Sequence, residues 1–164
     1  MPHTKHYPRK DAQTVEQVFT EILRKLDNDT SKVTRDAEVL KSHSRLVSYH
    51  DQHLPDIVCF PKTAHDIAHI HRVCFKHAFP IIPYGRATSL EGHISPICGG
   101  VVIDMTGMKK IVEYNKDDMD ITVEAGVTRE DLNAYLKPHN FFFPVDPGAN
   151  CTIGGMVATR ASGT

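Results

Sequence analysis

The 164-residue chain is 40% apolar and 24% charged, a globular balance that excludes disorder for most of its length and allows one domain or one lobe of a larger one. Nineteen Lys and Arg against twenty Asp and Glu give a formal charge of −1, so composition lends no support to nucleic-acid binding. No apolar stretch approaches the roughly 18–20 residues of a membrane-spanning helix.

Cys59, Cys74, Cys98 and Cys151 are too far apart in sequence for a CxxC pair. We read them as buried thiols of a reducing compartment. The N-terminus lacks the apolar run of a secretory signal, and Met1–Lys10 makes a poor transit peptide.

Val15, Val18, Phe19, Ile22 and Leu26 recur at helical spacing and predict an amphipathic helix over roughly residues 12–26. Asp27-Asn28-Asp29 ends it. Residues 30–54 are polar and read as irregular, so we divide the chain into a lead-in, 1–54, and a second unit, 55–164. Asp56–Phe60 predicts a buried strand. Thr63 with Asp66 three residues on approaches a capping box. The following helix places Ile67, Ile70, Cys74 and Ala78 on its apolar face and is stopped by Pro80. Ile81–Tyr84 is a second strand, completing a βαβ unit. Strand-like segments follow at Val101–Ile103, Ile111–Tyr114 and Asp120–Glu124, with Lys116-Asp117-Asp118 as a turn. Thr128 caps a helix carrying Leu132, Tyr135 and Leu136, halted by Pro138. The pattern is α+β, a βαβ lobe beside a more antiparallel set of strands.

Two small-residue segments adjoin these elements. The first, Tyr84 to Gly92, lets backbone N–H groups approach an anion such as a pyrophosphate; a tight surface turn fits the same residues. The second, Asp146-Pro147-Gly148 with Thr152 to Thr164, allows backbone to lie against a flat ligand. A small-residue helix packed on a sheet fits it equally. Together they suggest a bound dinucleotide. His65 and His69 share a face with Arg72 and Lys76, whose charges repel a cation, and His71 leans toward the apolar face. With His77 they read as solvated positions, and no metal site is assigned. No Ser/His/Asp or paired-carboxylate arrangement is found.

Pro55-Asp56-Ile57-Val58, Phe60-Pro61-Lys62, Pro83-Tyr84-Gly85, Thr88-Ser89-Leu90-Glu91-Gly92-His93 and Asp104-Met105 carry a resemblance. So do Val123 to Val127, Leu132-Asn133, Leu136 to His139, Phe143 to Gly148 and Thr152 to Met156. In this order, residues 55–164 resemble the FAD-binding domain of vanillyl-alcohol-oxidase-type flavoproteins, the D-lactate dehydrogenase (cytochrome) and glycolate oxidase subunit branch above all. The fold implied is the N-terminal part of a PCMH-type FAD-binding domain, with a mixed or antiparallel second lobe that we expect to be incomplete. The resemblance implies FAD as cofactor. It places the pyrophosphate on Gly85, Arg86, Ala87, Thr88, Ser89 and Gly92. It lays Pro147, Gly148, Thr152, Gly154, Gly155, Thr159, Ser162 and Gly163 along the cofactor.

Ala87 departs from the family's second loop glycine, and a positive φ there costs about 1–2 kcal/mol. Arg86 is larger than the usual residue, though its cation favours a pyrophosphate. Leu46-Val47 replaces an acidic pair. The family's substrate- and metal-contacting residues fall beyond Thr164, so no catalytic residue is assigned and we expect a partial chain. The function implied is the FAD-binding part of a D-2-hydroxy-acid dehydrogenase, D-lactate foremost, with glycolate or D-2-hydroxyglutarate as alternatives. The substrate and an electron acceptor would then be partners of a full-length form only. A mitochondrial location follows from relatives of that branch, with the cytoplasm otherwise. The competing readings are a non-catalytic fragment with weak or no FAD binding, and a general nucleotide-binding domain. His93 and His139 are conceivable flavin-linkage positions, but the branch holds FAD non-covalently.

Overall fold

The computed structural model describes residues 8–45 and 47–162. The readings made at Met1–Tyr7, Leu46 and Gly163 lie outside them. Helix α1 spans Ala12–Lys25, with the Asp11 side chain accepting the Thr14 N–H at 2.7 Å as its N-cap. It ends where Asp27 and Asn28 turn left-handed, at φ 61° and 56°, a conformation these short polar side chains tolerate. Residues 30–54 are more ordered than their polarity suggests. Strand β1 (Val33–Thr34) and helix α2 (Ala37–Ser42), capped by Asp36, both lie there. Each is too short to show a hydrophobic period.

Strand β2 (Ile57–Cys59), helix α3 (Ala64–Lys76), strand β3 (Ile81–Tyr84) and strand β4 (Val101–Asp104) follow. The sheet order is β1-β2-β4-β3, with β2 and β3 both parallel to β4 and β1 antiparallel to β2. The βαβ unit therefore skips a position: β4 enters between the two strands that α3 connects. Ile57, Cys59, Val101 and Ile103 face α1 and α3, packing on Val18, Ile22, Ile70 and Cys74. Val58, Ile82 and Val102 face the other way, onto Ile94 and the half-buried Val39, Leu40, Phe60, Tyr84 and Ala87. Burial on both faces explains why β2 and β4 read as unbroken apolar runs.

The α3 capping box is complete: Asp66 N–H donates to Thr63 Oγ1 at 3.1 Å, and Thr63 N–H returns to Asp66 Oδ2 at 3.1 Å. At the other end the helix stops before Pro80. Ala78 is left-handed, its N–H reaching Phe75 O at 3.1 Å and the Phe79 N–H reaching Cys74 O at 2.8 Å, which is a Schellman motif. Ala78 is thus a cap and exposed, Val73 takes its place among the buried residues, and His71 is exposed. Only Cys59 and Cys74 are buried; Cys98 and Cys151 are half-buried.

The second lobe is a hairpin of β5 (Ile111–Asn115) and β6 (Asp120–Val123), covered by α4 (Arg129–Leu136). Thr128 caps α4, and the chain runs on through Pro138 as a 3-10 turn, Lys137–His139, closed by left-handed Asn140. Val127, Leu132 and Leu136 form its core with Ile121, Val123, Phe141 and Phe143. Helix α5 (Ile153–Thr159) is the last element, closed by left-handed Arg160. Gly126 joins the lobes: its N–H donates to Met108 O at 2.8 Å, and a β-carbon there would strike the Met105 carbonyl oxygen.

Candidate cofactor-binding site

A cleft of about 480 Å³ opens at the C-terminal ends of β3 and β4, where parallel α/β sheets place their ligands. One wall is the loop after β3, supplying Gly85, Arg86, Ala87, Thr88 and Ser89. The other is Pro147, Gly148, Thr152, Gly154, Gly155 and Thr159. The two small-residue segments, separated by about sixty residues of chain, thus face each other across one space. Gly92 and Ser162 are not among the lining residues. Gly92 turns the loop at φ 75°, and a β-carbon on it would lie 2.5 Å from the His50 ring, so it shapes the loop from behind.

The walls are held by backbone pairing. Ile153 N–H donates to Val127 O at 2.8 Å, Arg129 N–H to Cys151 O at 3.1 Å and Gly154 N–H to Ala125 O at 3.0 Å. Thr152 caps α5 through its Oγ1, which accepts the Gly155 N–H at 3.2 Å. The same oxygen lies 2.6 Å from where a Gly85 β-carbon would stand, so glycine lets the two walls meet. Gly154 and Gly155 differ. A β-carbon on Gly154 would sit 2.7 Å from Ala125 Cβ and 2.9 Å from its oxygen, whereas one on Gly155 would meet only Thr152 Oγ1, at 3.0 Å. Gly154 serves packing, and Gly155 faces the open cleft.

The donors suit a pyrophosphate. Among the described residues, none of the backbone N–H groups of Gly85, Arg86, Ala87, Thr88 and Ser89 donates to a protein acceptor. Arg86 is exposed and forms no ion pair with a described residue, leaving its guanidinium available to an anion. No group of three His, Cys, Asp or Glu side chains among the described residues is placed to hold a metal ion. His93 lines the cleft, while His139 packs with Tyr114 and Tyr135 in the second lobe.

Ala87 has φ 56°, the strained conformation anticipated for a residue that replaces glycine. Its methyl group rests against the buried cluster of Val58, Ile82, Ile94 and Val102, which offsets part of that strain. Ala87→Gly is expected to raise stability by up to about 1 kcal/mol and to leave FAD affinity unchanged or improved. Thermal melts and a flavin fluorescence titration check both; a clear loss of affinity would show that the methyl group contacts the cofactor.

Behind the cleft, the buried Asp104 ends β4 and receives His43 Nε2 at 2.9 Å and the Thr106 N–H at 2.8 Å. His43 Nδ1 lies 2.9 Å from Val39 O, and its ring packs 4.8 Å from that of Tyr84. Burial alone would lower the His43 pKa, but the Asp104 hydrogen bond, the Val39 carbonyl and the Asp104 charge together raise it above the ordinary imidazole value. Burial would raise Asp104, and its hydrogen bonds from His43 and Thr106 hold it below the usual carboxylate range. Burial and the nearby Asp104 charge push the Tyr84 phenol up.

Sequence reasoning missed Met105, Ala125 and Cys151, which also line the cleft. Met105 could have been found from its place directly after a parallel strand. Ala125 and Cys151 are brought there by pairing between distant segments, which leaves no local signal.

A mixed sheet opens at its strand ends onto a glycine-lined cleft, and the family match and superposition together make this the PCMH-type fold of FAD-binding flavoproteins. An alkyldihydroxyacetonephosphate synthase structure superposes with a TM-score of 0.80 over 96% of this chain and 33% of its own, at 23% identity. Residues 55–164 match the family described as FAD binding domain. The chain belongs to that family, and its cofactor is FAD. It is 42% identical over 126 residues to a probable mitochondrial D-lactate dehydrogenase of Danio rerio, covering 77% of this chain and 25% of that protein. It is 46% identical over 111 residues to the mitochondrial D-lactate dehydrogenase (cytochrome) of Arabidopsis thaliana, covering 68% and 20%. The chain thus spans a quarter or less of these two relatives.

Proposed function

We propose that this chain holds the FAD of a D-2-hydroxy-acid dehydrogenase, D-lactate being the foremost substrate, in a mitochondrial setting. The observation that carries the reading is the juxtaposition of the Gly85–Ser89 loop, whose amides donate to no described protein acceptor, with the small-residue wall at Pro147–Thr159. When bound, FAD supplies the redox chemistry, accepting a hydride equivalent from C2 of the hydroxy acid and passing electrons to an acceptor. The protein's part is placement. The amides and Arg86 neutralise the pyrophosphate. Gly148 and Gly155 keep the opposite wall flat, and the apolar Tyr84, Met105 and Met156 exclude water along the cleft. Kinship to two D-lactate dehydrogenases supports the substrate, and their mitochondrial names support the setting.

Selective retention tests the reading: FAD should bind this chain at least about tenfold more tightly than ADP, since FAD adds the isoalloxazine ring to the adenine and pyrophosphate that both share. Equal retention of the two would make this a general nucleotide-binding domain instead.

A further inference from the structure

We propose that the start of α4 is a clasp that fixes the cleft wall at residues 143–151, with Arg129, Glu130 and Asn133 as positioning residues for the cofactor. The inference rests on the FAD reading above. Residues 141–151 carry no helix or strand of their own, yet Pro147, Gly148 and Cys151 within them line the cleft. Nothing lies within 4 Å of where a Gly148 β-carbon would stand, so packing does not hold that point.

Side chains of α4 hold it instead. Asn133 Oδ1 accepts the Phe143 N–H at 2.7 Å, and Asn133 Nδ2 donates to Phe143 O at 3.4 Å. One side chain thereby takes both backbone groups of Phe143, as a neighbouring strand would. Arg129 Nη1 pairs with Asp146 Oδ1 at 2.8 Å, one residue before Pro147. The Glu130 N–H donates to Asn150 Oδ1 at 3.3 Å, and Asn150 Nδ2 donates to Glu130 Oε2 at 2.9 Å. Among the described residues, every side-chain hydrogen bond and ion pair between this segment and the rest of the chain goes to α4.

Stability alone does not account for the arrangement. Arg129 Nε is buried without a hydrogen-bond partner among the described residues, which disfavours folding. Asp146 is more than half exposed, so its ion pair is screened by solvent. Asn133 therefore carries most of the hold. What the clasp provides is pre-organisation. A ligand that must order an irregular segment loses affinity to that ordering, and a segment already held presents its wall to FAD at once.

The test is backbone hydrogen exchange of the whole chain, with FAD affinity measured alongside. In Asn133→Ala, exchange at the hydrogen-bonded Phe143 and Cys151 amides should rise roughly tenfold while β2 and β4 stay protected, and FAD affinity should weaken about tenfold. Asn133→Asp, which keeps the acceptor for the Phe143 N–H but sets an oxygen against the Phe143 carbonyl, should restore part of both. For the ion pair, Arg129→Asp should weaken FAD binding, and the swapped Arg129→Asp with Asp146→Arg should recover it. Unchanged exchange at the Cys151 amide, which Asn133 does not itself bond, in Asn133→Ala would overturn the clasp. Raised exchange with unaltered FAD affinity would overturn its positioning role. Failure of the unmutated chain to bind FAD would overturn the cofactor reading, while the exchange data would still decide the clasp.

Discussion

Gly155→Val is expected to abolish FAD retention while leaving the chain folded. Gly155 is exposed on the cleft side of α5, and a β-carbon there meets only the hydroxyl of Thr152, at 3.0 Å. That oxygen ends a side chain able to shift. The branched methyl groups then occupy the space along the cofactor. Removing a glycine from a helix gains about 0.5 kcal/mol or more in propensity, so the loss is one of binding. Gly154→Ala makes the contrast. Its added methyl would be driven against Ala125, whose oxygen lies 2.9 Å away and accepts the Gly154 N–H. Overpacking of that kind destabilises by about 1–3 kcal/mol. Melting curves and FAD titrations of the two variants separate the effects. Normal FAD affinity in Gly155→Val would contradict the placement of the second wall.

Asp104→Ala is expected to lower stability by about 3 kcal/mol, because it removes one partner of a buried pair and leaves His43 Nε2 and the Thr106 N–H without their acceptor. The pair ties α2 to the end of β4, and both side chains are about nine-tenths buried. His43 Nε2 faces the Asp104 carboxylate, and Nδ1 faces both the Val39 carbonyl and the Ser42 hydroxyl, at 2.9 and 3.1 Å. The folded-state pKa of His43 is raised. Its stabilisation is therefore complete below the unfolded value of about 6.5 and is lost as pH rises through the folded one. For Asp104 the folded pKa is lowered, so its stabilisation is present above about 3.9 and is lost as pH falls through the folded value. Urea midpoints should thus fall for the native chain on the alkaline side of about pH 6.5, and His43→Gln should flatten that fall. Parallel pH curves for the two proteins would show that His43 is not charged in the folded state.

Much of this architecture is legible where its causes are local. The Thr63–Asp66 capping box and the apolar stripe of α1 involve residues within one or two turns of each other, so spacing reveals them. So does the glycine-rich loop directly after β3. Helix α2 escapes because six residues show no period, and its burial of Val39 and Leu40 depends on a sheet surface made elsewhere. The insertion of β4 between β2 and β3 is a long-range pairing that no local pattern encodes. The site divides in the same way. Gly85 to Ser89 and Pro147 to Thr159 stand out by composition and resemblance, whereas Ala125 and Cys151 reach the cleft only through pairing across the lobes. The partnership of His43 with Asp104 spans sixty-one residues, and its histidine lies in a stretch that reads as irregular. The α4 clasp is intermediate: Leu132-Asn133 belongs to the resemblance, but the segment that Asn133 holds becomes visible only in the folded chain.

The most direct test of the central claim is the absorbance spectrum of the purified 164-residue chain after incubation with FAD and gel filtration. The account predicts that the flavin band, near about 450 nm and tuned by its surroundings, co-elutes with the protein. A colourless, monomeric, folded peak would contradict it: the cleft between Gly85–Ser89 and Pro147–Thr159 would then have the shape of a flavin site without the capacity to hold one.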